Sequence, residues 1–352
     1  MGGTIQEVKC DCQYNNWDGT THVYGKGPTK SPRLAIIGEA PGAEEDQQGL
    51  PFAGGSGRIL DVWLAKVGIQ RSECYIDNVV QHRPPNNDID HANLPEAYRS
   101  LYKRLAGIQP NLVLALGNTA LRAFLPAASI SDWRGSLFPS VVQDKQVKVL
   151  ATLHPAFIMR QRRMWDVVLH DLQRAAEASH LPRYTELPHH TYYMDPPLKD
   201  LSNLLDKALA APTVAIDIET DWNWVSIERI GVSHEHGVAI TAPLTPDTAE
   251  VWGNFFLNVK STVMHNGLFD AFQLRKIFPW VKMCDHDTML YHHLLYQHLP
   301  HDLGFLCSVY TLYPYYKNMI SVRPAWYNCR DVDVTLRCYT RLTQELQEAN
   351  LI

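Results

Sequence analysis

Short apolar runs at residues 34–37, 74–80, 112–116 and 147–152 alternate with stretches of helical spacing such as residues 59–67. Strands that alternate with helices build a parallel sheet covered on both faces, and this order constrains the front half more than any other feature. The first run enters Gly38-Glu39-Ala40-Pro41-Gly42, a glycine-bounded turn at a strand end where a site can sit. Residues 164–179 read as a closing helix, after which the pattern fades into a segment rich in His and Pro. The expected organisation is a first domain over 1–180, a linker over 181–197 and a second domain over 198–352.

A chain of 352 residues is about twice the usual single-domain size, which agrees with that division. The second half opens with helical spacing over 198–211, followed by a strand over 213–219. Runs at 229–233 and 237–242 are close enough for an antiparallel meander, 263–265 makes a fourth short strand, and helices dominate from 267. A mixed sheet with helices is expected there.

Hydrophobic residues at 45% and charged residues at 20% exclude disordered, collagenous and disulfide-scaffold classes. No apolar run approaches the roughly 20 residues that span a bilayer, and residues 1–17 lack a basic start followed by an apolar stretch. No membrane partner is expected, and the expected location is the cytoplasm. The seven cysteines are an odd number, and Cys74, Cys284, Cys307, Cys329 and Cys338 are scattered in apolar surroundings, which fits a reducing compartment. A net charge of -5 argues against nucleic-acid binding driven by overall charge. Residues 1–188 carry +1 and the rest -6, so the acidic half invites a metal-ion reading.

Residues two apart on a strand share a face, so Asp217 and Glu219 project together from an otherwise apolar run. Two such anions repel, and a divalent cation such as Mg2+ or Mn2+ resolves the repulsion with oxygen ligands. The pair alone also fits an ordinary strand end. Trp222 and Trp224 follow it, either to stack on terminal bases or to pack in a core. His292, His293, His298 and His301 mix helical and loop spacing without cysteine, so they read as surface or satisfied histidines rather than metal ligands.

The strand bearing Asp217 is followed by Asn266-Gly267-Leu268-Phe269-Asp270 and by Tyr327-Asn328-Cys329-Arg330-Asp331. In this order and spacing the three segments resemble the exonuclease motifs of the proofreading domain in bacterial family A DNA polymerases, of the DEDDy type. The likeness extends through 287–290 and 301–306 and covers roughly residues 210–350. It implies a ribonuclease-H-like domain hydrolysing DNA from the 3' end with two Mg2+ or Mn2+ held by Asp217, Glu219, Asp270 and Asp331. Asp217 would bridge the pair, Tyr327 would orient the attacking water, and Asn266 would lie at the DNA.

Residues 38–57, reading GEAPGAEEDQQGLPFAGGSG, resemble the first motif of family 4 uracil-DNA glycosylases. Residues 75–85, 110–117 and 154–156 share the likeness, which covers roughly 30–178 and implies a three-layer α/β/α domain. In that resemblance Phe52 stacks on uracil, Asn78 reads its N3 and O4 edge, and His154 donates to O2 as charge develops. Gly38 and Gly42 would add backbone donors, and Glu39 would steer water or fill the space of a thymine methyl. Arg160, Arg162 and Arg163 would grip phosphates, or simply form a solvated basic helix start.

The family's four-cysteine iron-sulfur cluster meets a departure here, because Cys10 and Cys12 are one residue apart and His82 and Ala97 stand at the third and fourth places. An iron-sulfur cluster is not expected. A remnant zinc site using Cys10, Cys12 and His82 is the alternative to simple loss. Tyr14, Trp17 or Tyr24 should bury against the loop at 82–85 in its stead.

The two resemblances together imply a DNA-processing fusion, with single-stranded 3' ends and uracil-containing DNA as partners. In family A polymerases the exonuclease precedes the polymerase domain, and this chain stops at Ile352. A phage polymerase fragment is therefore expected, in the host cytoplasm, with a polymerase domain or subunit as a further partner. The rival readings are a glycosylase-like half that binds uracil without cutting, and a non-catalytic scaffold for a polymerase.

Overall fold

Runs that are buried throughout become the strands of the first sheet. The computed structural model describes residues 17, 19–184, 187 and 189–352, and the chain divides into the units Met1–Thr185 and Glu186–Ile352. In the first unit the strands are β1 (Leu34–Gly38), β2 (Cys74–Asn78), β3 (Leu112–Leu116), β4 (Leu137–Val142) and β5 (Lys145–Thr152), in the order β2-β1-β3-β5-β4. β1, β2, β3 and β5 run parallel, and β1 and β3 are buried at every position because helices cover both faces. Leu34, Ile36, Leu60, Trp63, Leu101 and Leu114 lie in the core.

β4 departs from the all-parallel expectation. It pairs antiparallel with β5 through Gln143 and Asp144, both at positive φ, as a tight hairpin requires. Its burial is broken and it carries Pro139, the marks of an edge strand that left little pattern in the sequence.

The second sheet has the order β11-β10-β7-β8-β9-β6. Its strands are β6 (Thr191–Met194), β7 (Val214–Thr220), β8 (Ile227–Glu235), β9 (Val238–Pro243), β10 (Thr262–Met264) and β11 (His286–Asp287). β7, β8 and β9 form the antiparallel meander, whereas β10 and β11 are parallel additions, so the sheet is mixed. β6 falls inside the expected linker segment and pairs parallel with β9. Flanking His and Pro concealed its strand-forming Thr191-Tyr192-Tyr193.

Alternation along β7 splits its side chains between two environments. Val214, Ile216 and Ile218 join a core with Trp252, Phe255 and Leu201. Ala215, on the opposite face with Asp217 and Glu219, packs with Cys329, Val332 and Leu336 of the long helix Pro324–Glu348. The face that receives this helix thus also carries the carboxylates. No helix among the described residues is long and apolar enough to cross a membrane.

Candidate active sites

The carboxyl ends of parallel strands are where open α/β sheets place their ligands. Here the register sets Gly38, at the end of β1, beside Asn78, at the end of β2. A Cβ at Gly38 would stand 2.4 Å from Asn78 Oδ1 and 2.6 Å from Phe52 Cζ, so glycine alone permits their approach. Phe52 is 5% exposed and adopts a φ of 52°, a strained conformation for a bulky residue. Arg71 Nη2 holds that loop by donating to the Pro51 and Phe52 carbonyls at 2.8 and 3.2 Å.

The Phe52 ring lies 5.7 Å from the His154 ring, centroid to centroid. His154 follows β5 and caps the helix Pro155–Arg160, its Nδ1 accepting the Ala156 amide at 3.2 Å. A neutral imidazole that accepts at Nδ1 carries its proton on Nε2. Burial, and after it the charge of Arg160, lowers the His154 pKa to about 4, so the ring is neutral at pH 7. Glu39 accepts the Thr119 hydroxyl on Oε2 at 2.5 Å. The Gly42 amide does not stand ready for a base as expected: it donates to Glu45 Oε2 at 3.0 Å within its own loop, because it begins the helix Ala43–Gln48. Arg160, Arg162 and Arg163 are exposed.

Behind Asn78 lies a buried ion pair that sequence reasoning missed. Asp77 Oδ2 accepts Arg104 Nε at 2.7 Å and the Tyr75 hydroxyl at 2.9 Å. Its Oδ1 accepts the Asn78 amide at 2.8 Å and Gln81 Nε2 at 3.1 Å. Arg104 Nη2 completes the frame by donating to the Asn78 carbonyl at 2.8 Å. The available signal was a lone cation among Ala97, Leu101, Leu105 and Ile108 on the apolar face of the helix Leu94–Ile108.

In the second unit, carboxylate oxygens of Asp217, Glu219 and Asp331 lie within 4.8 Å of one another. Asp270, on the helix Gly267–Ile277, is fixed beside β7 because its Oδ1 accepts the Ile218 amide at 3.0 Å. Burial first, then repulsion from Asp331, Asp270 and Glu219, holds the Asp217 carboxyl well above the usual range. Burial and Asp331 push Glu219 up to about 8, and burial pushes Asp270 up to about 7 against the backbone N–H groups that favour its charge. An all-oxygen set under this repulsion fits a hard divalent cation of the Mg2+ or Mn2+ class.

One positive charge already meets the cluster. Lys317 Nζ donates to Asp331 Oδ2 at 2.7 Å, to Asp331 Oδ1 at 2.9 Å and to the Tyr327 hydroxyl at 2.9 Å. The Tyr316 hydroxyl donates to Asp331 Oδ1 at 2.5 Å. Asn328 Nδ2 donates to Asp217 Oδ2 at 2.8 Å, while its own Oδ1 accepts the Thr241 hydroxyl at 2.6 Å. Lys317 and Tyr316 were not singled out from sequence, since nothing in their local spacing points toward the carboxylates; Asn328 was quoted in the motif with Asp331, three residues away on one helix, but was given no role. Asn266 takes a left-handed φ of 59° as the cap of its helix, and Asp287 accepts its amide at 3.2 Å.

Trp222 is 87% exposed and belongs to no core, whereas Trp224 meets Phe269 edge-on at 5.3 Å. Three of the four histidines do come together. His292 Nδ1 lies 2.7 Å from His301 Nδ1, and His301 Nε2 lies 3.0 Å from His293 Nδ1. The rings bond in series through different nitrogens of His301, rather than aiming three nitrogens at one point; His298 is exposed.

Residues 24–177 match the Uracil DNA glycosylase superfamily. The type-4 uracil-DNA glycosylase of Archaeoglobus fulgidus is 33% identical over 175 residues, covering 48% of this chain and 86% of that protein. Through its first half, the chain belongs to the type-4 uracil-DNA glycosylase family. A DNA polymerase of Bacillus phage SP01 is 22% identical over 315 residues, covering 78% of this chain and 33% of the polymerase. That coverage exceeds what either unit alone supplies, so the similarity runs across both. The solved catalytic core of RRP6 from Trypanosoma brucei is 21% identical with a TM-score of 0.39, over 47% of this chain and 52% of that one. The chain thus spans about a third of the polymerase and half of the RRP6 core.

The family's cluster positions are occupied otherwise in this type-4 uracil-DNA glycosylase relative. Cys10, Cys12 and Tyr14 lie outside the described residues. Ala97 is buried in the core, and His82, 4% exposed, meets the Thr20 hydroxyl at 3.1 Å and the His22 ring at 4.9 Å. Neither position supplies a thiolate, so these two do not fit a four-thiolate cluster. The segment before β1 is tied to the loop after Asn78 by its main chain, with the Val23 amide donating to the Gln81 carbonyl at 2.8 Å. Trp17 packs on the core, and Tyr24 reaches the loop through His22, whose ring lies 3.8 Å away.

Proposed function

We propose that the chain excises uracil from DNA with a glycosylase domain over residues 1–180 and removes nucleotides from DNA 3' ends with an exonuclease domain over 198–352. The approach of Asn78 and Phe52 at Gly38, with the His154 ring 5.7 Å from that of Phe52, carries the first reading. A base must leave the stack before its glycosidic bond is cut. The flipped uracil stacks on Phe52 and is read at N3 and O4 by the Asn78 side-chain carboxamide, whose main chain Asp77 and Arg104 hold in place. The Nε2 proton of His154 then meets O2 as negative charge develops there. Glu39, oriented by Thr119, directs water at the sugar carbon, and the exposed Arg160, Arg162 and Arg163 grip the flanking phosphates.

The carboxylate group Asp217, Glu219 and Asp331, within 4.8 Å, carries the second reading. These three and Asp270 would hold two divalent cations, Mg2+ or Mn2+. Bound there, the cations supply an activated water and neutralise the departing 3' oxygen. Asn328 pins Asp217, and the Tyr327 hydroxyl, fixed by Lys317, orients water beside Asp331. Trp222 offers an exposed ring for a terminal base. The phage-polymerase similarity across both units supports a partner polymerase domain or subunit.

One assay tests both halves: end-labelled DNA with or without a single uracil, incubated in Mg2+ or EDTA and then treated with alkali. In EDTA, breaks are expected at uracil and not at thymine; in Mg2+, a ladder shortening from the 3' end. Uracil-DNA held tightly without alkali-labile sites would replace excision by binding, and shortening that persists in EDTA would sink the metal reading.

A further inference from the structure

Lys317 sits at the Asp331 edge of the carboxylate site, and the reading above gives it no part in metal binding, only the fixing of the Tyr327 hydroxyl. Its ammonium contacts both oxygens of Asp331, at 2.7 and 2.9 Å, and the Tyr327 hydroxyl at 2.9 Å. Both partners lie on one face of the long helix Pro324–Glu348, four residues apart, while Lys317 comes from the short turn Lys317–Met319 ahead of it. The same Nζ lies 4.8 Å from the centre of the Tyr327 ring and 5.4 Å from that of Tyr316, which gives the cation aromatic contacts independent of Asp331. Asp331, 4% exposed, has both oxygens engaged by the ammonium and one of them also by Tyr316. A divalent cation that takes Asp331 as a ligand must therefore claim an oxygen the ammonium now holds, and two cations on one carboxylate repel.

We propose that Lys317 is a resident counter-ion of this site: it holds Asp331 and Tyr327 in place without metal and yields an Asp331 oxygen when a divalent cation binds. This makes Lys317 a positioning residue that competes with the metal, and it rests on the metal-site reading of the second unit. A lysine that merely staples its turn to the long helix would stabilise the fold with no effect on metal affinity.

The test compares the full-length wild type with Lys317→Met, both stripped with EDTA and titrated with Mn2+ while bound Mn2+ and Tm are followed. The wild type should gain Tm with Mn2+. Lys317→Met should start from a lower Tm in EDTA, gain more, and bind Mn2+ about fivefold or more tightly, because a ligand's stabilisation grows with its affinity. Its 3' degradation should nonetheless slow, since Tyr327 has lost its donor. Lys317→Arg, which keeps the charge, should bind Mn2+ within about twofold of wild type. Equal or weaker Mn2+ binding by Lys317→Met overturns the proposal. If Lys317→Met fails to fold in EDTA, Lys317→Gln takes its place; failure of both to fold even with Mn2+ also overturns it, because the metal should then replace the ammonium. A wild type that shows no Mn2+ response overturns the metal-site reading itself, which a difference between variants does not.

Discussion

Nδ1 of His154 accepts the Ala156 amide at 3.2 Å, and this one hydrogen bond both starts a helix and fixes which nitrogen of the ring carries the proton. The capping requirement of a helix N-terminus thus leaves Nε2–H as the donor that the proposed base site needs.

The His154 pKa, lowered by burial to about 4, has a consequence for pH dependence. The neutral donor persists well below the usual histidine titration near 6.5. Uracil excision measured in single turnovers should stay level from about pH 8 to pH 5; a tenfold fall per unit starting at 6.5 would contradict it. For stability the sign is set by the unfolded chain, which takes up this proton below about 6.5 while the native state does not until about 4. His154 therefore destabilises the fold progressively as pH falls through that window. His154→Ala should lose about 2.7 to 4 kcal/mol of transition-state stabilisation, as when one oxyanion donor is removed.

Gly38→Ala should abolish uracil excision with little change in metal-dependent degradation. The added Cβ would meet Asn78 Oδ1 at 2.4 Å and the Phe52 ring at 2.6 Å, displacing together the two side chains proposed to read and stack on the base. Single-turnover rates for both activities in one preparation check this, and wild-type excision by Gly38→Ala would refute the site.

Arg104→Met should destabilise the first unit by about 3 to 5 kcal/mol, because it strands the fully buried Asp77 carboxylate. Adding Asp77→Asn should recover part of that loss, since no uncompensated charge remains. Urea unfolding of the two variants measures the difference, and a double variant less stable than Arg104→Met would count against the charge argument.

The carboxylates give the second unit an inverted response to pH. Glu219 at about 8 and Asp270 at about 7 hold protons in the native state that the unfolded chain has already released. The contribution is present at low pH and is lost as pH rises through those values, so in EDTA the Tm should fall between about pH 5 and pH 8. Mn2+ should raise Tm most at the upper end of that range, where the carboxylates are charged. Asp217→Ala should remove about three orders of magnitude of 3' degradation, and thermal scans at the two pH values with and without Mn2+ complete the test.

The sequence alone determined what depends on local order. The buried runs of β1 and β3, the alternation that sets Asp217 and Glu219 on one face of β7, and the spacing of Tyr327 and Asp331 on one helix all follow from backbone periods of 2 and 3.6. The tertiary structure decided what depends on residues far apart in the chain meeting in space. Arg104 reaches Asp77 across 27 positions, Thr119 reaches Glu39 across 80, and Lys317 turns back onto Asp331 across 14. The edge strands β4 and β6 belong to the same class, because a short, partly exposed strand acquires its identity from the partner that pairs with it. So does the Gly42 amide, which a carboxylate three residues away claims once the loop closes. Periodicity records which face a residue occupies, but the partner across that face is chosen only when the chain packs, because burying a charge or a polar group is tolerable only with a partner at hydrogen-bonding distance.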